Sequence, residues 1–98
     1  GWPPFGRLAA IIVTSNDSYK ADNLAAELAY NAPLGKDISV LGPAPAPLAI
    51  LRGQHRRRLL LKTNREQLLQ PLIRKWLERV TVPSNTRIRI DIDPYNFM

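Results

Sequence analysis

The sequence contains no cysteine, a single histidine, and five glycines that never cluster. Each scarcity removes a class of chemistry. Without cysteine there is no disulfide framework, no thiol nucleophile, and no thiolate-bound zinc or iron–sulfur centre. The lone histidine, His55, stands among arginines whose charge repels a metal cation. Isolated glycines form no phosphate-cradling loop, and no Gly-Lys-Ser/Thr occurs. Aromatic residues make up only 7%, too few for an evident series of base-stacking platforms. The longest strongly apolar run is Leu8 to Val13, far short of the roughly 20 residues a membrane helix needs. The start carries no basic, apolar and small-residue sequence of a secretory signal. No membrane partner is expected, and the lack of cysteine fits a reducing cytoplasm. The opening Gly1-Trp2-Pro3-Pro4 lacks an initiator methionine and reads as a piece of a longer protein.

What is present is one domain's worth of chain, 98 residues, of which 45% are hydrophobic and 22% charged. That is globular composition with room for one modest core. The net charge of +6 is unevenly placed. Gly1 to Ala49 holds three basic and four acidic residues, whereas Ile50 to Met98 holds eleven basic and four acidic ones. The densest stretch, Arg52 to Lys62, has no acid at all. Such asymmetry speaks of polyanionic partners rather than of fold.

The pattern of residues alternates strands and helices. Arg7 to Thr14 is an apolar, β-branched run that predicts a strand buried on both faces. Ser15 to Ser18 supplies a turn and helix-capping oxygens. Ala21, Leu24, Ala25, Leu28, Ala29 and Ala32 then share one helical stripe, which Pro33 and Gly35 end. Ile38 to Leu41 is a short strand. Pro43, Pro45 and Pro47 follow at alternate positions and predict a stiff connector on a sheet edge, since a central strand needs the donors they lack. Leu48 to Leu51 and Arg57 to Thr63 read as two arms of a hairpin turning at Gly53-Gln54-His55. Thr63 or Asn64, with Glu66 or Gln67, makes a capping box for a second helix. Its stripe is Leu69, Leu72, Ile73, Trp76, Leu77 and Val80, and Pro71 is expected to kink it or shorten its first turn. Ile88, Ile90 and Ile92 alternate with Arg87, Arg89, Asp91 and Asp93 in the clearest strand, which Asp93-Pro94 ends. The order predicts an α+β fold: a ferredoxin-like split β-α-β sheet with two helices on one face.

Catalytic constellations are scarce. The serines lack a partner base. Asp91 and Asp93 form a carboxylate pair on one strand face, but they share it with Arg87 and Arg89, which favours a surface ion-pair ladder over a metal site. Arg7 does not sit in a phosphate-cradling loop of the acylphosphatase type. No catalytic residue and no metal ligand is assigned. The positive signal is the basic hairpin, with Arg52, His55, Arg56, Arg57, Arg58 and Lys62 as candidate nucleic-acid-binding residues. Arginine binds phosphate bidentately. On a strand, Arg56 and Arg58 point to one face and Arg57 to the other, while Arg52 approaches from the facing arm. A solvated basic turn is the bland alternative.

Four short motifs then occur in order along the whole chain. They are Pro3-Pro4-Phe5-Gly6-Arg7-Leu8-Ala9-Ala10, Leu41-Gly42-Pro43-Ala44-Pro45-Ala46-Pro47, Arg52-Gly53-x-x-Arg56 followed by Leu59-Leu60-Leu61-Lys62, and Asp91-Ile92-Asp93-Pro94. Together they resemble the C-terminal domain of the primosomal protein N′ family of bacterial replication-restart helicases. The resemblance implies a single domain over residues 1–98 of a longer, ATP-dependent 3′-to-5′ helicase of the bacterial cytoplasm, similar in fold to a small-subunit ribosomal protein. It implies ATP and zinc sites in other domains and no cofactor in this one. It implies binding to forked or single-stranded DNA, packing against the rest of the helicase, and a share in recognising the acidic C-terminal tail of single-stranded-DNA-binding protein. On the matching positions, Arg52 and Arg56 are the DNA-backbone residues, with Arg57, Arg58 and Lys62 beside them, and Arg65 and Gln70 fall at the tail site. The alternative is a structural docking domain whose affinity for nucleic acid is incidental.

Overall fold

Arg7–Ser15 forms the first strand, β1, of a computed structural model described over residues 6–93. Pro3 to Phe5 and Pro94, parts of two motifs above, lie outside the described residues. Ala9, Ile11 and Val13 are fully buried on one side of β1, and Ala10 and Ile12 nearly so on the other. A strand apolar on both faces belongs at the centre of a sheet. The sheet order is indeed β2-β3-β1-β4, all neighbours antiparallel. Here β2 is Ile38–Leu51, β3 is Gln54–Thr63 and β4 is Thr86–Ile92. With the helices α1 (Ser18–Tyr30) and α2 (Leu69–Leu77), this is the βαββαβ order of a ferredoxin-like α+β fold, as the residue pattern predicts.

Asp17 starts α1, its Oδ1 accepting hydrogen bonds from the Tyr19 and Lys20 backbone N–H groups at 2.8 and 3.4 Å. The helix buries Ala21, Leu24, Ala25 and Leu28 against β1 and β3. From α2, Leu69, Ile73 and Trp76 enter the same core, and Ile88, Ile90 and Ile92 of β4 pack against it. Trp76 is fully buried, and its indole Nε1 donates to the Leu28 carbonyl oxygen at 2.9 Å. That bond satisfies the one polar atom of the largest core side chain and ties the two helices together.

Three local expectations are corrected. The proline stretch is not a connector: it is part of β2, which stays paired to β3 through two register shifts, between Leu41/Ala44 and Pro45/Ile50. An edge strand tolerates prolines because its outer donors have no ladder partner to lose. Gly42 makes the first shift possible. Its φ is +103°, and a Cβ there would lie 2.7 Å from the Arg58 carbonyl oxygen. Second, the hairpin turns at Arg52 and Gly53 (φ +51° and +75°), so Gln54 and His55 belong to β3. Positive φ at both loop residues is the turn geometry that matches strand twist. Third, α2 has no capping box and no side-chain cap. Asn64 Oδ1 instead accepts from the Gln67 N–H at 3.0 Å in a separate turn, and the helix begins at Leu69. Pro71 thereby falls in the first helical turn, where backbone N–H groups have no intrahelical partner, and it costs no hydrogen bond.

Candidate nucleic-acid interface

Strand alternation sorts the basic residues. The helices cover the face that carries Ala9, Ile11, Val13, Leu59 and Leu61. Positions of opposite parity (Thr14, Ile12 and Ala10 on β1; Arg56, Arg58, Leu60 and Lys62 on β3; Arg87, Arg89 and Asp91 on β4) lie on the open face. Register then sets them in rows. Thr14 has Arg56 on one side and Arg87 on the other, and Ile12 has Arg58 and Arg89. Neighbouring strands are about 4.8 Å apart and alternate residues about 7 Å along a strand, so four arginine Cα atoms outline a rectangle of roughly 10 by 7 Å. A depression of about 530 Å³ is lined by Ile12 and Thr14 together with Arg52, Arg56, Arg87 and Arg89. Lys62 sits further along, opposite Leu8.

The cations differ in how they are held. Arg56 Nη1 donates to the Pro47 carbonyl oxygen at 2.6 Å, which braces β3 against the proline arm. Arg89 pairs with Asp91 at 3.1 Å, one rung of the expected ion-pair ladder. Asp93 does not make the next rung. Its backbone turns to a φ of +47°, and its carboxylate accepts from the Arg7 guanidinium and the Leu8 N–H instead. Arg52, Arg58 and Arg87 have no ion-pair partner among the described residues.

Not all of the candidate residues converge. Arg57 lies on the helix-covered face, where its Nε donates to Asp22 Oδ1 at 2.7 Å. His55 has the same parity, opposite Ser15. Arg65 lies in the turn before α2. Gln70, in the first turn of α2, lines a shallow groove of about 410 Å³ with Ile73, Arg74, Leu77, Ile90 and Ile92. Conversely, Arg87 and Arg89 belong to the basic face although the sequence reading left them to a surface ladder. The signal that finds them is their i, i+2 spacing on the β4 side opposite the isoleucines. No group of three or more His, Cys, Asp or Glu residues placed to hold a metal occurs among the described residues. Among the described residues no helix is long and apolar enough to cross a membrane. The aromatic residues described, Tyr19, Tyr30 and Trp76, are all on helices, so among the described residues the open face has charge without stacking platforms.

The fold and this face define a small α+β domain with one side of its sheet closed by helices and the other left open and cationic. Residues 1–95 match the family described as PriA_C, the primosomal protein N C-terminal domain, and the chain belongs to that family. It is 33% identical over 95 residues to the replication restart protein PriA of Rickettsia conorii, covering 97% of this chain and 14% of that protein. To the proteins of that name from Treponema pallidum and Bacillus subtilis it is 33% and 31% identical, covering 99% of this chain in each case. The chain spans only 13 to 15% of the length of these three curated relatives.

Proposed function

We propose that the chain is a DNA- and partner-binding module of a replication-restart protein, and that the open face of its sheet engages the DNA backbone. The observation that supports this is the convergence of Arg56, Arg58, Arg87 and Arg89 from two non-adjacent strands onto one face. Guanidinium groups in two rows meet successive phosphates, and such contacts to the backbone carry no base identity. Arg52 extends the patch at the hairpin turn and Lys62 at its far end. Arg57 and His55, facing the helices, act through strand position rather than by touching DNA. ATP-driven translocation and a zinc site belong, on this reading, to other parts of a longer protein. The test is binding of fluorescent forked and single-stranded oligonucleotides across a salt series, developed in the Discussion.

The groove beside α2 supports a second contact. It combines apolar walls with the amide of Gln70 and the guanidinium of Arg74, a combination that suits an acidic peptide with an apolar end, such as the tail of single-stranded-DNA-binding protein. Replacing Gln70 and Arg74 by alanine should abolish saturable binding of such a peptide in calorimetry. Equal binding to the variant would remove the groove from the site.

Docking on the remainder of a longer protein has its own observation. Leu48, Ile50 and Leu51 on the outer arm of the hairpin are 66, 67 and 43% exposed. An apolar arm tip beside the basic face is suited to protein contact.

A further inference from the structure

Beyond Arg56 the open face of the sheet changes character. Gln54 is the next same-face residue of β3, about 7 Å from Arg56 towards the hairpin turn. Asn16 directly follows β1, and Asn85 directly precedes β4. These three amides, with Thr14, Thr86 and Arg87, line a second depression of about 510 Å³. It shares Thr14, Gln54 and Arg87 with the depression among the arginines, so the two adjoin. Among the described residues Arg87 is the one charged group of this second lining, against four arginines in the first. Cations that suit phosphate thus give way to neutral donors and acceptors within one step along the strands.

The side-chain amides of Asn16, Gln54 and Asn85 make no hydrogen bond among the described residues. The backbone beside two of them is nonetheless held. Lys20 Nζ donates to the Ser84 carbonyl oxygen at 3.2 Å and to the Ser84 hydroxyl at 3.0 Å. The Thr86 hydroxyl donates to the same carbonyl oxygen at 3.0 Å and lies 2.9 Å from the Ser15 hydroxyl. Asn85 stands between these two anchored residues. Asn16 stands between Ser15 and Asp17, whose N–H donates to Ser15 Oγ at 3.1 Å. Free amides on a fixed frame lose little freedom when a ligand binds. An amide offers donor and acceptor side by side, which is also the pattern of a nucleobase edge. In a duplex the Watson–Crick edge is taken by the pairing base, whereas in an unpaired nucleotide it is open.

We propose that this depression takes the base of an unpaired nucleotide whose neighbouring phosphates lie on Arg56 and Arg87. The base is held by edge-on hydrogen bonds to Asn16, Gln54 and Asn85 rather than by stacking, in keeping with an open face that carries no aromatic side chain among the described residues. Each amide can turn to present either its oxygen or its NH2 group, so the pocket accepts any base. It separates unpaired from paired DNA, not one sequence from another. The inference rests on the reading of the open face as a DNA surface and adds the base to it.

Anisotropy titrations of the 98-residue chain with two labelled single strands of equal length test it, one bearing bases and one abasic throughout, each across a salt series. Both strands carry the same phosphates, so the arginines meet them alike. The wild-type chain should bind the base-bearing strand roughly tenfold more tightly. Asn16→Ala/Gln54→Ala/Asn85→Gly should bring that ratio close to one and keep the salt slope, which a misfolded chain could not do. Glycine is chosen at position 85 because φ there is +55°. Arg58→Ala, one row away from the amides, should weaken binding of both strands and preserve the ratio. Equal affinity of the wild-type chain for the two strands, an amide variant that keeps the tenfold ratio, or an Arg58 variant that loses it would each overturn the pocket. In those cases a persisting salt slope leaves the backbone reading standing. Binding of neither strand overturns both.

Discussion

Replacing Arg58 and Arg87 together by alanine removes one cation from each row of the open face, and neither guanidinium takes part in an ion pair among the described residues. Both are opposite β1 residues, Ile12 and Thr14, that make no charge contact of their own. If each of the four arginines neutralises one phosphate of a single strand, the logarithm of the binding constant falls with that of salt with a slope of about −2.8. Raising salt from about 50 to about 200 mM then weakens wild-type binding roughly 50-fold. The double variant keeps two contacts, a slope of about −1.4, and loses only about sevenfold over the same interval. Fluorescence anisotropy with a labelled oligonucleotide measures both slopes. Arg74→Ala/Lys75→Ala on α2, across the sheet from the open face, serves as the comparison and should leave the slope at the wild-type value. The reasoning is refuted if the α2 variant lowers the slope as much as the open-face variant, or if the open-face variant leaves it unchanged.

Two predictions concern the framework that holds this face. Trp76→Ala should destabilise the chain by about 3–5 kcal/mol in chemical denaturation, since it empties a fully buried site and strands the Leu28 carbonyl. Trp76→Phe should cost less but not zero, because that acceptor still loses its donor. Gly42→Ala should lower the melting temperature clearly more than Gly53→Ala. Both positions have positive φ, but only at Gly42 would the added methyl meet backbone, at 2.7 Å, whereas at Gly53 it meets nothing within 4 Å. Equal effects would mean that the bulge can shift to make room.

Much of the architecture was legible because the relevant signals are local. Unbroken apolar character in Ala9–Val13 marks a central strand, and strict alternation of Ile88, Ile90 and Ile92 marks a half-covered one. The start of α2 was misread because Asn64 and Glu66 or Gln67 have the composition of a capping box, while the chain uses Asn64 for an extra turn. The proline arm was misread for a different reason. Missing donors exclude a central strand but say nothing about whether the inner side of an edge stays paired. The basic face was only half legible. Arg56 and Arg58 stand out within a cluster, but their approach to Arg87 and Arg89 is created by β1 lying between β3 and β4. That is a non-local pairing, and no local pattern carries it. Strand alternation alone sets Arg57 apart from Arg56 and Arg58, as the sequence shows, whereas His55, read as part of the turn, takes the face of Arg57 because β3 already starts at Gln54.

The central position of β1 also has a consequence in time. This strand starts at Arg7, and its partner on one side, β4, starts only at Thr86. At a synthesis rate of about 5–20 residues per second, the intervening chain takes roughly 4–16 seconds to make. Throughout that interval an apolar strand flanked on one side by nothing is already out, or still sheltered in the ribosomal tunnel. The sheet can be completed only after β4 emerges, so the strand that is apolar on both faces is also the one whose second edge waits longest for a partner.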